Sequence, residues 1–98
     1  MNMQAMLKQA QQLQKNMLAE KEKLDNEIFE EKTSFVSVKI TGSKLIKEIK
    51  LDTKNIEEDE IEMLEDMIMI TINNALSKIE KETEHRMGKY TQGMPGLF

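Results

Sequence analysis

The hydrophobic residues of this 98-residue chain change their spacing twice, and that change constrains the fold more than any other feature. Over residues 3–28 they recur in steps of three and four, the period of an amphipathic α-helix. Over residues 35–41 they alternate strictly, and a looser alternation follows over residues 45–51, as in β-strands with one buried face. A helical period returns over residues 61–79. We therefore expect one α+β domain, residues 1–98, with a long helix, a small antiparallel sheet and a second long helix.

The sheet is expected to contain two to three strands. Gly42 and Ser43 separate the two alternating segments and match a two-residue type II′ hairpin turn, which takes glycine at its first position. This register places Ile40 opposite Leu45, and it places residue 36 opposite residue 49. A third strand is predicted over residues 27–32.

The first helix carries an imperfect coiled-coil seam. Met3, Met17 and Leu24 share one heptad position, whereas Glu20 interrupts the other apolar position. A helix of about 27 residues extends about 40 Å at 1.5 Å per residue, which exceeds what a domain of this size needs to cover its core. Part of this helix is therefore expected to project.

The second helix is expected to begin near Asp59 and Glu62, which form a helix-start signal, and to run to about Gly88. Residues 67–72 are apolar nearly all round, so this helix should be buried on more than one side. One side can cover the sheet, and the other needs the first helix or a second copy of the chain. Residues 91–98 contain two glycines and a proline, and we expect a flexible tail there.

Little in the sequence supports catalysis. The chain has no cysteine, one histidine, no glycine-rich phosphate loop and no nucleophile-and-base pair, so we predict no enzyme, no cofactor and no small-molecule substrate. The acidic block at residues 57–66 is interpreted as a solvated helix start, because the glycine and spaced ligands of a calcium loop are missing. No segment is apolar enough to span a membrane, and a cytoplasmic location is expected.

Charge is distributed unevenly along the chain, whose net charge is −4. Residues 1–19 contain Lys8 and Lys15 but no acid, and residues 85–98 contain Arg86 and Lys89 but no acid. If both helices project on the same side of the sheet, these two ends meet and form a basic tip. Such a tip can contact phosphates through its cations while glutamine amides add neutral hydrogen bonds. Solvated helix faces are the alternative, since the nearby Lys78 and Lys81 lie among glutamates.

Four segments together resemble the YbaB/EbfC family of bacterial nucleoid-associated proteins. They are MLKQAQQLQKNM at 6–17, VSVKITGSKLIKEIKLD at 36–52, EMLEDMIMITINNALSKIEK at 62–81 and GMPGLF at 93–98. The most specific parts are K-Q-A-Q-x-x-Q at 8–14, M-L-E-D at 63–66 and N-x-A at 73–75, in that order. The resemblance implies an α-β-β-β-α subunit, a tweezer-like homodimer, and binding of double-stranded DNA with low sequence specificity at the nucleoid.

The resemblance also implies two sets of site residues. The candidate DNA contacts on the projecting helices are Lys8, Gln11, Gln12, Lys15, Lys78, His85, Arg86 and Lys89. The candidate dimer interface, where second helices pair, comprises Ile61, Leu64, Met67, Ile68 and Ile72. The chain departs from many relatives in one place, where EEKTS at 30–34 replaces a glycine-bearing connection.

A protein-interaction or chaperone module is the alternative function. In that case the Met-rich first helix binds a helix or an unfolded segment of another protein through Met3, Met6, Leu13 and Met17. The lysines are then not needed for binding. A helix lying on a membrane surface is disfavoured, because residues 1–28 contain no Trp or Phe.

Overall fold

A computed structural model describes residues 2–52, 54 and 56–91. The elements in chain order are helix α1 (Met3–Asn26), strands β1 (Ile28–Thr33), β2 (Val36–Thr41) and β3 (Ile46–Leu51), a short 3-10 turn (Glu58–Glu60) and helix α2 (Ile61–Thr91). The three strands form one antiparallel sheet in the order β1-β2-β3. This confirms the predicted α-β-β-β-α order, including the third strand. Thr91 closes α2, and the remainder of the predicted tail, residues 92–98, lies outside the described residues.

The core lies between the sheet and one face of α2. Val36, Val38 and Ile40 of the central strand are all buried, as their strict alternation predicts. Ala75 and Ile79 of α2 pack against them in the same hydrophobic cluster. Because β2 and α2 supply most of this cluster, α1 is left with only a small share of the core.

The connection between β2 and β3 differs from the predicted two-residue turn. Three residues form the loop, and the last of them, Lys44, has a φ of 71°. The N–H of Thr41 donates to the carbonyl of Leu45 at 2.9 Å, which closes the loop. A three-residue loop of this kind ends in a left-handed residue and carries a bulge.

The bulge makes the predicted pairing wrong. Ile40 lies opposite Ile46 instead of Leu45, and Val36 lies opposite Leu51, because the register shifts after Lys39. The shift keeps the apolar residues of β3 on the face that the buried residues of β2 occupy. The alternating pattern therefore predicted correctly which face of each strand is apolar, but it predicted the wrong cross-strand pairs between β2 and β3.

Gly42 allows the β2–β3 loop to approach α1 closely. A Cβ atom at this position would lie 1.9 Å from the backbone carbonyl oxygen of Leu24. Its N–H donates to the carbonyl of Glu27 at 3.0 Å, and the N–H of Ser43 donates to the carbonyl of Asp25 at 3.3 Å. The glycine thus lets the β2–β3 loop bind the last turn of α1.

The molecule is elongated. The Cα radius of gyration is 19.4 Å and the principal extents are 71 × 21 × 14 Å, whereas a compact chain of this length has a radius of gyration of about 13 Å. Residues 3–16 of α1 are all exposed, and we call this segment the arm. At 1.5 Å per residue the arm accounts for about 21 Å of projecting helix.

The end of α2 lies beside the second half of α1. Helix α2 runs antiparallel to β1, so Lys78 is near Glu31 and Arg86 is near Glu27. Tyr90 shares a shallow cleft with Asn16 and other residues of α1. The two acid-free ends therefore lie side by side at Asn16 and Tyr90, and residues 3–15 of α1 are exposed beyond that contact.

Candidate nucleic-acid interface

The arm begins with an uncharged cap at its outer end. The Asn2 side-chain oxygen accepts a hydrogen bond from the N–H of Ala5 at 2.7 Å, and the first turn of α1 contains no acid. A helix N-terminus carries a partial positive charge and unsatisfied N–H groups, both of which favour anions. The outer end of the arm is therefore electropositive even without a lysine.

One face of the arm is polar and basic. At 100° per residue, Lys8 and Lys15 lie within about 20° of each other around the helix and about 10.5 Å apart along it. Gln11 and Gln12 occupy flanking positions on the same face, and Gln12 donates to the side chain of Asn16 at 3.0 Å. Within the described part of the chain neither lysine lies in an ion pair. Two unpaired cations therefore share one exposed face.

This basic face points away from the core. Met17 and Leu24, which pack against the hydrophobic cluster, lie about opposite Lys8 and Lys15 around the same helix. One side of α1 therefore attaches the helix to the body, and the opposite side stays exposed.

Lys78 lies on the body of the molecule. Its ammonium group donates to the carbonyl of Glu30 at 3.1 Å and is 3.6 Å from a carboxylate oxygen of Glu31. Both acceptors belong to β1, so this lysine ties α2 to the sheet and is not brought to the arm.

Arg86 is surrounded by carboxylates. Its Nε is 3.0 Å from Glu20, its Nη1 contacts Glu27, and Nη1 is 3.8 Å from Glu82. The side chain is only 18% exposed. The end of α2 contains no acid in the sequence after residue 84, but the fold surrounds its arginine with acids from other segments.

The charges in this cluster favour one another. The hydrogen bond from Arg86 lowers the pKa of the Glu20 carboxyl, and the nearby positive charges of Lys23 and Lys89 act in the same direction. The hydrogen bonds to Glu27 and Glu20 raise the pKa of Arg86 above its ordinary value. The guanidinium therefore stays charged and paired across the working pH range.

His85 and Lys89 complete the predicted set. Both are exposed near the end of α2, and the ammonium group of Lys89 lies 5.1 Å from the centroid of the Tyr90 ring. The C-terminal end of a helix is electronegative, which offsets part of the charge of a lysine there. Lys89 lies close enough to Glu20 at the base of the arm to lower its pKa, while Lys8 and Lys15 lie along the arm.

Sequence reasoning missed the acidic partners of Arg86. Glu20 and Glu27 occupy the same heptad position as Met6 and Leu13, where an apolar residue is the rule. An acid at a position that faces another element requires a cation from that element. The interruption of the seam at Glu20 was the signal that pointed to Arg86.

A set of exposed apolar residues lies outside the arm. Its exposed residues belong to β3 with its preceding loop and to the first turns of α2: Leu45, Ile46, Ile49, Leu51, Ile61, Met63, Met69 and Ile70. Of the predicted dimer residues, Ile61 is exposed, whereas the others are half-buried against the core of their own chain: Leu64, Met67, Ile68 and Ile72. We call the exposed set the β3–α2 patch.

Two other kinds of site find no support in the described residues. They contain no group of three or more His, Cys, Asp or Glu side chains that could hold a metal ion. In the described part of the chain, no helix combines the length and the apolar character needed to cross a bilayer. The acidic residues 58–60 form an exposed helical turn ahead of α2, as interpreted from the sequence.

Comparisons with known proteins agree with this architecture. The sequence is 41% identical over 99 residues to a nucleoid-associated protein of Ligilactobacillus salivarius, covering 99% of this chain and 95% of the relative. It is 40% identical over 98 residues to a nucleoid-associated protein of Enterococcus faecalis, covering 98% and 94%. The fold is similar to the crystal structure of an uncharacterized protein of Helicobacter pylori, with a TM-score of 0.67, 17% identity, and coverage of 87% of this chain and 91% of that chain. The profile of one family matches residues 1–94, and the chain belongs to that family, the YbaB/EbfC DNA-binding family.

Proposed function

We propose that this protein is a nucleoid-associated protein of the bacterial cytoplasm that binds duplex DNA with low sequence specificity through the arms of a homodimer. The observation that carries the proposal is the arm itself, an exposed helix whose basic face bears Lys8 and Lys15 without a neighbouring acid. Membership of a DNA-binding family and the nucleoid-associated relatives support it.

The side chains on the arm suit the DNA backbone better than base edges. Lysine is a flexible point charge that contacts phosphate oxygens, and such contacts position a protein without reading sequence. Of the glutamines on this face, Gln12 is already hydrogen-bonded to Asn16. We propose Lys8, Gln11, Gln12 and Lys15 as the principal contacts. His85 and Lys89 can add charge at the base of the arm, and Lys78 and Arg86 contribute least because carboxylates already pair with them.

A salt titration of DNA binding tests the arm. Four lysines on two arms should give a slope of up to about −3.6 in log K against log salt, since each neutralised phosphate contributes about −0.9. The Lys8→Ala/Lys15→Ala variant is expected to lose most of its affinity and most of this slope. The matched control is Lys32→Ala/Lys54→Ala, which removes the same charge from exposed positions on the body. Equal losses in the two variants would reject the arm as the DNA-binding surface.

The homodimer is proposed to form through the β3–α2 patch. Strand β3 is an edge strand, and its apolar residues Ile46, Ile49 and Leu51 are 39–45% exposed. Exposed apolar residues on an edge strand are typical of an interface with another chain. A second copy would cover the patch and give the two-armed molecule that the binding proposal requires.

Analytical ultracentrifugation tests the dimer. Ile49→Asp and Ile61→Asp place a charge in the patch and are expected to shift the protein towards a monomer. Leu18→Asp introduces the same charge at a leucine of α1 that is 58% exposed and outside the patch, so it should leave the mass unchanged. A wild-type protein that sediments as a monomer at micromolar concentration would contradict the proposal.

A second candidate function rests on the apolar side of the arm. Met3, Met6 and Leu13 are exposed, Met3 to 86%, and a helix with an exposed methionine-rich stripe can bind the helix of another protein. Met6→Ser/Leu13→Ser tests this function. A variant that keeps full DNA affinity shows that DNA binding does not use the stripe and leaves it open to a protein partner, whereas a loss of DNA affinity shows that both faces of the arm serve DNA binding.

A further inference from the structure

The last turn of α1 and the rest of the helix are attached to the body in different ways. Backbone hydrogen bonds from Gly42 and Ser43 to the carbonyls of Glu27 and Asp25 hold the last turn. These bonds all act at one end of the helix, so by themselves they allow the remainder to pivot. A second attachment further along the helix is needed to fix its direction.

Arg86 supplies a polar attachment further along the helix, beside the packing of Met17 against the hydrophobic cluster. The Glu20 side chain accepts a hydrogen bond from Arg86 Nε at 3.0 Å. Among the described residues of α1 whose side chains hydrogen-bond to another element, Glu20 is the one nearest the arm. The same guanidinium contacts Glu27, seven residues and about two helical turns away. A planar group that binds two points two turns apart resists tilting of the helix. A contact with only one of these points would leave the helix free to tilt.

We propose that Arg86 is a positioning residue that fixes the direction of the arm by holding Glu20 and Glu27 against the end of α2. The inference rests on the proposed function in one respect, since the direction of the arms sets how their lysines meet DNA. It assigns Arg86 a role different from that of the DNA contact predicted from the sequence. A guanidinium that already contacts three carboxylates has little charge to offer a phosphate.

The two roles predict opposite results when the acids are removed. Glu20→Gln/Glu27→Gln frees the guanidinium, so affinity for DNA should rise if Arg86 is a contact. If Arg86 positions the arm, the same variant should lose affinity relative to a control of equal charge. Glu22→Gln/Glu30→Gln is that control, because both side chains are exposed and lie outside the cluster.

The direction of the arm can be measured without DNA. The chain contains no cysteine, so Gln12→Cys on the arm and Lys32→Cys on the sheet accept two spin labels specifically. Doubly labelled protein is diluted with unlabelled protein so that only distances within one protomer contribute. We expect a narrow distance distribution in the parent and in the Glu22→Gln/Glu30→Gln control, and a broad one in Glu20→Gln/Glu27→Gln. An unchanged distribution in that last variant would overturn the proposal.

Binding to a random-sequence duplex at 0.15 M salt supplies the second readout. Relative to the charge-matched control, Glu20→Gln/Glu27→Gln is expected to bind up to about fivefold more weakly, because the loss of a partly exposed ion pair has a modest effect. Equal or tighter binding would overturn the role of Arg86 in DNA recognition. If the parent protein fails to bind DNA even at low salt, the proposed function fails, and the distance measurement still decides whether Arg86 positions the arm.

Arg86→Lys separates charge from geometry. Lysine keeps the positive charge but lacks the planar fork that reaches both carboxylates. A phosphate contact would tolerate this change, with the slope of the salt titration kept. A positioning residue would not, and we expect the distance distribution to broaden and the affinity to fall while the slope stays constant. A narrow distribution in Arg86→Lys would count against the two-point contact.

Discussion

At the scale of single residues, Gly42 and Gly88 have opposite surroundings. A Cβ at Gly42 would meet the Leu24 carbonyl at 1.9 Å, whereas a Cβ at Gly88 meets nothing within 4 Å. Gly42→Ala should destabilise the protein by about 1–3 kcal/mol, because backbone must shift to relieve the overlap. Gly88→Ala should stabilise it by about 0.5–1 kcal/mol, because alanine is the better helix former in α2. Urea denaturation measures both, and similar values for the two variants would contradict this account.

Also at this scale, Glu20 should make stability depend on pH. Its pKa is lowered in the folded state by the hydrogen bond from Arg86, so the folded protein favours the carboxylate. This stabilisation is fully present above the unfolded pKa of about 4.3 and disappears as the pH falls through the folded value. Glu20→Gln is therefore expected to lower the free energy of unfolding at pH 7 and to have little effect at pH 2. Chemical denaturation at the two pH values tests this, with Glu22→Gln as the variant that should change neither.

At the scale of elements, the β2–β3 loop depends on a lysine in an unfavourable conformation. Lys44 has a φ of 71°, a region that costs a non-glycine residue about 1–2 kcal/mol. Lys44→Gly removes this strain, and the entropy that glycine loses on folding offsets only part of the gain. We therefore expect the free energy of unfolding, measured by thermal denaturation, to rise by up to about 1 kcal/mol. Ser43→Gly should destabilise instead, because Ser43 has no positive φ and its hydroxyl bonds to Thr41 at 2.8 Å. A loss of stability in Lys44→Gly would show that the side chain serves another purpose.

The elements themselves follow from the sequence, because each period of apolar residues persists long enough to identify a helix or a strand. Val36, Val38 and Ile40 illustrate this, since their alternation predicts both the strand and its buried face. The residue that lies opposite each residue of β2 depended on the shape of the β2–β3 loop. Contact between Gly42 and α1 sets that shape, and a local sequence pattern contains no information on this contact. The surroundings of Arg86 escaped prediction for the same reason, since two of its three carboxylates come from residues 59 and 66 positions away in the chain.

At the scale of the whole molecule, the fold resolves an apparent conflict between acidic composition and DNA binding. The net charge is −4, yet the arm carries lysines and no acid and extends away from the body. At physiological ionic strength charges are screened beyond about 8 Å, so the acids of the body have little effect on the outer part of an arm about 21 Å long. The distance that α1 provides therefore allows an acidic protein to present a basic surface.

The arm and the body should consequently be separable. Residues 3–16 are exposed and supply none of the buried core, so deletion of residues 2–15 should leave a cooperatively folded body with the proposed dimer interface intact. We expect the truncated protein to retain the sedimentation behaviour and the urea midpoint of the full chain, to lose helical circular dichroism in proportion to the deleted residues, and to lose DNA binding. Retained affinity would place the binding surface at the end of α2, around His85 and Lys89. Loss of the dimer would instead show that the arms contribute to association, because the β3–α2 patch is unchanged by the deletion.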